Sequence, residues 1–160
     1  MRRAGPDIII EAMSDAKDGE IPPGARGLAS LLAELAPTLA EGTYVYARLR
    51  EGVEIPNGIR PFAIIREPEE TALIMRRDDA DAAGLRHVFP ARLITLRVNS
   101  SLAAVGLTAA IAAQLAAAGI PANVIAGLHH DHLLVPEANA ADALVLLKGL
   151  SAAGAASEPA

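Results

Sequence analysis

One segment of this sequence, residues 102–119, carries no charged side chain and consists mostly of alanine. Its largest apolar residues recur every four positions, which places them on one face of a helix: Leu107, Ile111 and Leu115. The glycine that ends the segment, followed by Pro121, stops the helix, so we predict a helix over residues 102–118. A helix without charge around its girth is buried more deeply than a surface helix, and it therefore constrains the rest of the fold. The segment is too short to span a bilayer comfortably.

Short segments with the pattern of β-strands surround this helix. In residues 92–98, every second residue is apolar and these residues share one face of a strand: Ile94, Leu96 and Val98. The other predicted elements are strands at residues 122–127 and 133–136 and a helix at residues 139–150, which begins at Asn139. Residues 91–151 therefore form a C-terminal half of the order β-α-β-β-α, and residues 152–160 form a disordered tail.

Residues 27–90 form an N-terminal half that we summarise as α-β-β-α. Leucines at helical spacing precede Pro37, a β-rich segment occupies residues 43–49, and two further strands flank a tight turn at residues 67–70. Asp78 caps a short helix that ends at Gly84. Residues 1–26 combine proline, glycine and charge without sustained periodicity, so we expect a flexible extension.

The order of these elements predicts an α+β fold. Its two halves resemble ferredoxin-like units, with antiparallel sheets and helices packed on one face, and such a unit has the order β-α-β-β-α-β. The first half lacks an opening strand and the second half lacks a closing one. Since an unpaired strand edge exposes backbone hydrogen-bonding groups, we expect the halves to complete each other or to pair with a second copy.

Composition excludes several classes of function. The chain has no cysteine, which excludes disulfide frameworks, thiol catalysis and cysteine-based zinc sites. Its net charge is −5 and its basic residues are scattered, a pattern that does not indicate nucleic-acid binding. The apolar run near the N-terminus is too short for a signal peptide. We therefore expect a soluble cytoplasmic protein without nucleic-acid or membrane partners.

Three of the four histidines lie in the sequence GLHHDHLLVP, residues 127–136. Side chains two apart on a strand share a face, so His130 and His132 could approach one metal ion. A closed site needs three or four ligands, and the other candidates lack a recognisable ligand spacing: His87, Glu137 and Asp142. The simpler interpretation is a hairpin in which His129, His130 and Asp131 form the polar turn and His132 begins the returning strand. The imidazoles can still border a ligand pocket.

The remaining polar residues give no sign of catalysis. Ser100 and Ser101 lie at a strand-to-helix junction, where serine usually caps the helix, and no G-x-S-x-G motif surrounds them. No glycine-rich phosphate loop of known form is present. We therefore predict no catalytic residue, no cofactor and no metal.

The segment RVNSSLAAVGLTAAIAAQLAAAGIPANVIAG resembles an ACT domain, a small regulatory fold that binds amino acids. With the following HHDHLLVP, it is similar to an uncharacterised bacterial family of short proteins with two ACT-like halves. The halves also resemble the tandem ACT units of cytosolic arginine sensors and of aspartokinase regulatory domains. The resemblance covers about residues 28–150. It departs at Asn99, where the family often has histidine, and at Leu128, where it often has an aromatic residue.

The resemblance implies a non-enzymatic regulatory module that binds an amino acid or a similar small molecule and forms a homodimer. An ACT domain often receives the ligand carboxylate at the turn before its first helix, where backbone N–H groups are free. Gly106, which costs about 0.5–1 kcal/mol inside a helix, supports a site there. The implied ligand-binding residues are Asn99, Ser100, Ser101, Val105, Gly106, Asn123, Val124, Ile125, His130 and Asp131. A small metal-dependent enzyme using His130, Asp131 and His132 and a purely structural interaction module are the alternatives.

Overall fold

The computed structural model describes residues 27–50, 52–98, 102 and 104–156. In chain order the elements are α1 (Leu28–Ala33), β1 (Pro37–Leu39), β2 (Tyr44–Leu49), β3 (Ala63–Arg66), β4 (Thr71–Arg76), α2 (Arg77–Ala82), β5 (His87–Leu96), α3 (Leu107–Ala117), β6 (Asn123–Ala126), β7 (Asp131–Pro136), a 3₁₀ turn (Glu137–Asn139) and α4 (Ala140–Ala156). The strands form one antiparallel sheet of the order β3-β4-β2-β5-β7-β6, and β1 also pairs with β5. The predicted N-terminal extension lies outside the described residues, as do Asn99, Ser100 and Ser101.

Strand β5 is ten residues long and belongs to both halves. Residues 87–91 pair with β2, and residues 94–96 pair with β1 on the same edge. Residues 91–96 pair with β7 on the other edge. Strand β1 comes from the first half and occupies the place of the closing strand that the second half lacks. The expectation that the halves complete each other is therefore confirmed within a single chain.

Two features of the strands differ from the prediction. The first half contains four strands, whereas the prediction placed three segments there and summarised them as α-β-β-α. The strand it missed is β1, which has only three residues and no recognisable alternation. Strand β5 begins at His87 and not at residue 92. In the first part of β5, the alternation of inward and outward side chains is hidden by a bulge. There the register with β2 shifts, and Phe89 has a positive φ of 58°. Pro90 within the strand hides the pattern further.

The helices differ from the prediction mainly at their ends. Helix α3 begins at Leu107, five residues after the predicted start. Helix α2 has Arg76 as its N-cap residue, and Asp78 makes no capping hydrogen bond but lies in the first turn, where a carboxylate favours the helix dipole. Helix α4 continues to Ala156, so residues 152–156 are helical and the predicted disordered tail is wrong there.

All four helices lie on one face of the sheet. Helices α1, α3 and α4 cover the strands of the second half, with a core that includes Leu31, Ile94, Ile111, Leu133 and Leu147. Helix α2 covers the first half over Val45, Leu73 and Met75. The opposite face carries a third cluster built on Ile74, Leu93 and Leu134. Only one stripe of α3 is buried, so the expectation that this helix is more buried than a surface helix is wrong within this chain.

Candidate functional site

The histidine-rich segment forms the hairpin between β6 and β7, as the sequence predicts. The Gly127 N–H donates to the His130 carbonyl oxygen over 3.0 Å and closes the turn. A Cβ atom at Gly127 would lie only 2.5 Å from that oxygen, which explains the glycine. Asp131 is the first residue of β7 and not part of the turn. The hairpin lies at the end of the sheet where β5 finishes, because Asp131 pairs with Leu96.

Asp131 and His132 project from opposite faces of β7. Asp131 lies on the helix side, as does Leu133 two residues later, and it is only 9% exposed. Burial raises the pKa of Asp131, while the neighbouring His132 and His130 act in the opposite direction. His132 lies on the other face, where burial lowers its pKa, His130 lowers it further and Asp131 opposes the shift.

His132 belongs to a row of four side chains that crosses the sheet. The register places Thr38, Thr95, His132 and Ile125 side by side on β1, β5, β7 and β6. The Thr95 hydroxyl lies 3.0 Å from His132 Nδ1, within hydrogen-bond distance. The His132 ring also meets the Phe62 ring edge to face, with centroids 4.8 Å apart. This contact brings β7 together with the segment just before β3.

Every aromatic residue of the chain lies on this face of the sheet. Tyr44 contacts Phe62, and Tyr46 contacts Phe89, each in a T-shaped arrangement. The bulge in β5 directs Phe89 toward Tyr46. The two tyrosines at alternate positions of β2 were the only sequence signal for this cluster.

The positions of Asp131 and His132 disfavour a metal centre. Since they project from opposite faces of one strand, they do not converge on a common ion. Within the described residues, no group of three or more histidine, aspartate or glutamate side chains lies close enough to hold a metal.

Gly106 is the N-cap residue of α3 and not a residue of its interior. Its φ is 97°, in the left-handed region that strains any L residue. A Cβ atom there would meet Leu28 Cδ2 at 3.5 Å, an ordinary contact, so backbone conformation and not close packing requires the glycine. As a glycine, Gly106 has no side chain that could cap α3, and the neighbouring Val105 is 90% exposed.

The predicted residues on β6 do not lie together. Asn123 pairs with Leu134 at the end of β6 farther from the histidine hairpin. Val124 is on the helix side, whereas Ile125 packs against the third cluster on the opposite face. These three residues therefore cannot line a single pocket.

An open cleft of about 550 Å³ lies at the end of the sheet beside β1. Its lining consists of Thr38, Leu39, Ala40, Thr95, Arg97 and His130. Among the predicted site residues that the structure describes, only His130 borders it. The prediction missed Arg97 and the two threonines, since without β1 nothing in the sequence placed them together. The alternation of Thr95 and Arg97 with buried Ile94 and Leu96 was the available signal.

Comparison with known proteins defines the class of this chain. Two ACT-domain family models match in tandem, over residues 23–92 and residues 88–149. The matches overlap in β5, the strand that both halves use. A solved structure from Vibrio cholerae, of a protein of unknown function described as a possible transport protein, is 41% identical with a TM-score of 0.70. That match covers 78% of this chain and 95% of the other. The chain belongs to the ACT-domain family.

More distant structures share the fold. A protein from Agrobacterium tumefaciens is 22% identical, with a TM-score of 0.61 over 72% of this chain and 87% of the other. The ligand-free regulatory subunit of aspartate kinase from Thermus thermophilus is 14% identical, with a TM-score of 0.57 over 73% and 97%. Among curated proteins, no significant sequence match was found. In the part of the chain described, no helix is both long and apolar enough to cross a membrane.

Proposed function

We propose that this chain is a non-enzymatic regulatory module that binds an amino acid or a similar small molecule. The observation that carries the proposal is the tandem ACT architecture, with two halves that share the strand β5. Assembly of two copies of this chain into a homodimer in the cytoplasm fits this proposal. The exposed side of α3, which has no charged residue, is the proposed contact.

The start of α3 is the proposed place for the ligand carboxylate. The first backbone N–H groups of a helix have no partner within the helix, and the dipole favours an anion there. The N-cap residue of α3 is Gly106, which has no side chain to cap these groups, and the helix is eleven residues long. His130 lies near the end of β5, with Nδ1 3.5 Å from the Val98 carbonyl oxygen, one residue before Asn99. We therefore keep Asn99, Ser100, Ser101, Val105, Gly106, His130 and Asp131 as the proposed ligand-binding residues.

Thermal unfolding in the presence of each of the twenty amino acids tests this proposal. A ligand at 100 times its dissociation constant stabilises the folded state by about 2.7 kcal/mol. For a chain of this size, the melting temperature should rise by roughly 5–10 °C. If no amino acid raises the melting temperature, the proposed function is wrong.

A matched pair of variants at Val105 tests the position of the ligand. Val105 is almost fully exposed, so substitution should leave the unliganded protein stable. Val105→Asp places a carboxylate beside the start of α3, where it repels a ligand carboxylate, and should abolish the rise in melting temperature. Val105→Asn has a similar shape without the charge and should retain most of the rise. Equal behaviour of the two variants would place the ligand elsewhere.

The rival function is a metal-dependent enzyme that uses His130, Asp131 and His132. The opposite orientation of Asp131 and His132 argues against it. Elemental analysis of protein purified without a histidine tag separates the two functions, because stoichiometric zinc, iron or manganese would support the enzyme.

Light scattering after size-exclusion chromatography tests self-association.

A further inference from the structure

The cleft beside β1 combines a cation with hydroxyl and imidazole groups. Arg97 lies at its edge, largely exposed, and has no ion-pair partner among the described residues. Thr95 and Thr38 face each other across β5 and β1. His130 completes the lining on the side of the β6–β7 hairpin. Among the described residues that line the cleft, none is acidic.

The hydrogen bonds of the cleft leave donors available. The Thr38 hydroxyl donates to the Thr95 carbonyl oxygen over 3.3 Å. If His132 carries its hydrogen on Nδ1, the Thr95 hydroxyl accepts from it and keeps its own hydrogen for a ligand. Arg97 offers a planar set of N–H donors that matches two oxygens of a carboxylate or phosphate. The cleft volume of about 550 Å³ is within the usual range for small-molecule sites.

We propose that this cleft binds a small oxyanion, a carboxylate or phosphate group, between Arg97, Thr95 and His130. The site lies on the face of the sheet that carries Thr95, opposite the face covered by α3. It is therefore distinct from the proposed carboxylate position at the start of α3, although His130 lies near both. The oxyanion site does not depend on amino-acid binding.

Nuclear magnetic resonance titration of the full chain tests this proposal. Inorganic phosphate and succinate are added separately at constant ionic strength, with chloride as the balancing anion, and the imidazole signals of His130 are followed. We expect saturable shifts of His130 with at least one of the two anions. The relative affinities show whether the site prefers phosphate or carboxylate. Chloride alone should produce no saturable shift.

Two charge-matched variants establish whether the cleft itself binds. Arg97→Gln removes the cleft cation and should raise the dissociation constant at least tenfold. Arg60→Gln removes one exposed cation from the first half, away from the cleft, and should leave the constant unchanged. Both variants alter exposed side chains, and an unchanged melting temperature checks that each has folded.

Three outcomes would overturn the oxyanion site. They are the absence of saturable His130 shifts with both anions, equal weakening by the two arginine variants, and unchanged binding in Arg97→Gln. Failure of the amino-acid screen, in contrast, contradicts only the proposed function. Saturable phosphate or succinate binding at His130 without any amino-acid effect would support the cleft and reject the amino-acid module.

Discussion

The reason for a glycine at position 106 depends on whether that position lies inside a helix or at the helix N-cap. In a helix interior, glycine costs backbone entropy, and its presence would call for a functional reason. In the structure it has a φ of 97° before the first turn of α3, and this conformation alone accounts for glycine. The residue therefore gives no independent support for a ligand at this position.

Substitution of Gly106 should destabilise the unliganded protein. Gly106→Ala should lower the free energy of unfolding by about 1–2 kcal/mol, because the left-handed conformation brings Cβ close to the backbone. Gly106→Asn should cost less, since asparagine adopts this conformation more readily. Urea denaturation measures both. An unchanged midpoint for the alanine variant would show that the backbone relaxes, and it would contradict the assigned strain.

His132 should give the protein a measurable pH dependence. Its pKa in the folded state is below the ordinary 6.5, so the unfolded chain binds its proton more readily between the two values. The free energy of unfolding should therefore fall as the pH decreases through the ordinary value toward the folded pKa. Asp131 acts in the opposite sense at lower pH, because its raised pKa means that protonation favours the folded state.

Variants separate this contribution from those of the other titrating groups. His132→Gln should weaken the fall in stability between about pH 7 and pH 5, measured by urea denaturation at each pH. His129 is exposed on the same hairpin, so His129→Gln should keep the dependence of the unmodified protein. If the stability of His132→Gln changes with pH as steeply as that of the unmodified protein, another group controls the pH dependence.

At the scale of the element, α4 is extended by its contact with α1. Its C-terminal turns look unstructured in sequence, because they contain only small residues and one serine. In the fold, the Ser151 hydroxyl donates to the Ala33 carbonyl oxygen over 2.8 Å. Gly154 is buried against the backbone of α1. These contacts with α1 pack the C-terminal turns of α4 against the rest of the fold.

Two glycines of α4 should respond oppositely to alanine. At Gly154 a Cβ atom would lie 2.6 Å from Ala33 N, so Gly154→Ala forces the helices apart and should cost about 1–3 kcal/mol. At Gly149 nothing lies within 4 Å, so Gly149→Ala should stabilise the helix by about 0.5–1 kcal/mol. Urea denaturation of both variants provides the comparison. Stabilisation by both would show that α1 and α4 are not packed as described.

At the scale of the whole molecule, the halves cannot be separated without cutting a strand. A boundary between residues 90 and 91, which the predicted halves imply, falls within β5. The second half would also lose β1 and α1, and with them Leu31 and Leu35 from its core. One edge of β5 would then be unpaired, and an exposed edge promotes aggregation.

A fragment of residues 92–160 should therefore be aggregated or lack cooperative unfolding. Size-exclusion chromatography and urea denaturation measure the two properties, and residues 27–160 provide the matched control. We expect the control to be soluble and to unfold cooperatively, because it retains every described strand. A soluble, cooperatively folded monomer of residues 92–160 would contradict the role of the shared strand.

The sequence by itself determined the elements whose patterns are local. Alternation in β2 and in residues 92–98, the spacing of Leu107, Ile111 and Leu115, and the hairpin between β6 and β7 depend only on near neighbours. The residues of the ACT resemblance lie in the same regions, which is why the family could be identified. The strand missing from the second half also followed from the order of the elements.

Tertiary structure alone decided which segments complete the sheet and which side chains meet. A strand of three residues such as β1 has too little sequence to show a period, and pairing with β5 is what stabilises it. The cleft of Arg97, Thr95 and Thr38 exists only because that pairing occurs. In the same way, the separation of Asp131 from His132 depends on β7 beginning at Asp131, which pairs with Leu96 of β5. Contacts between segments distant in the chain leave no periodic signal in either segment.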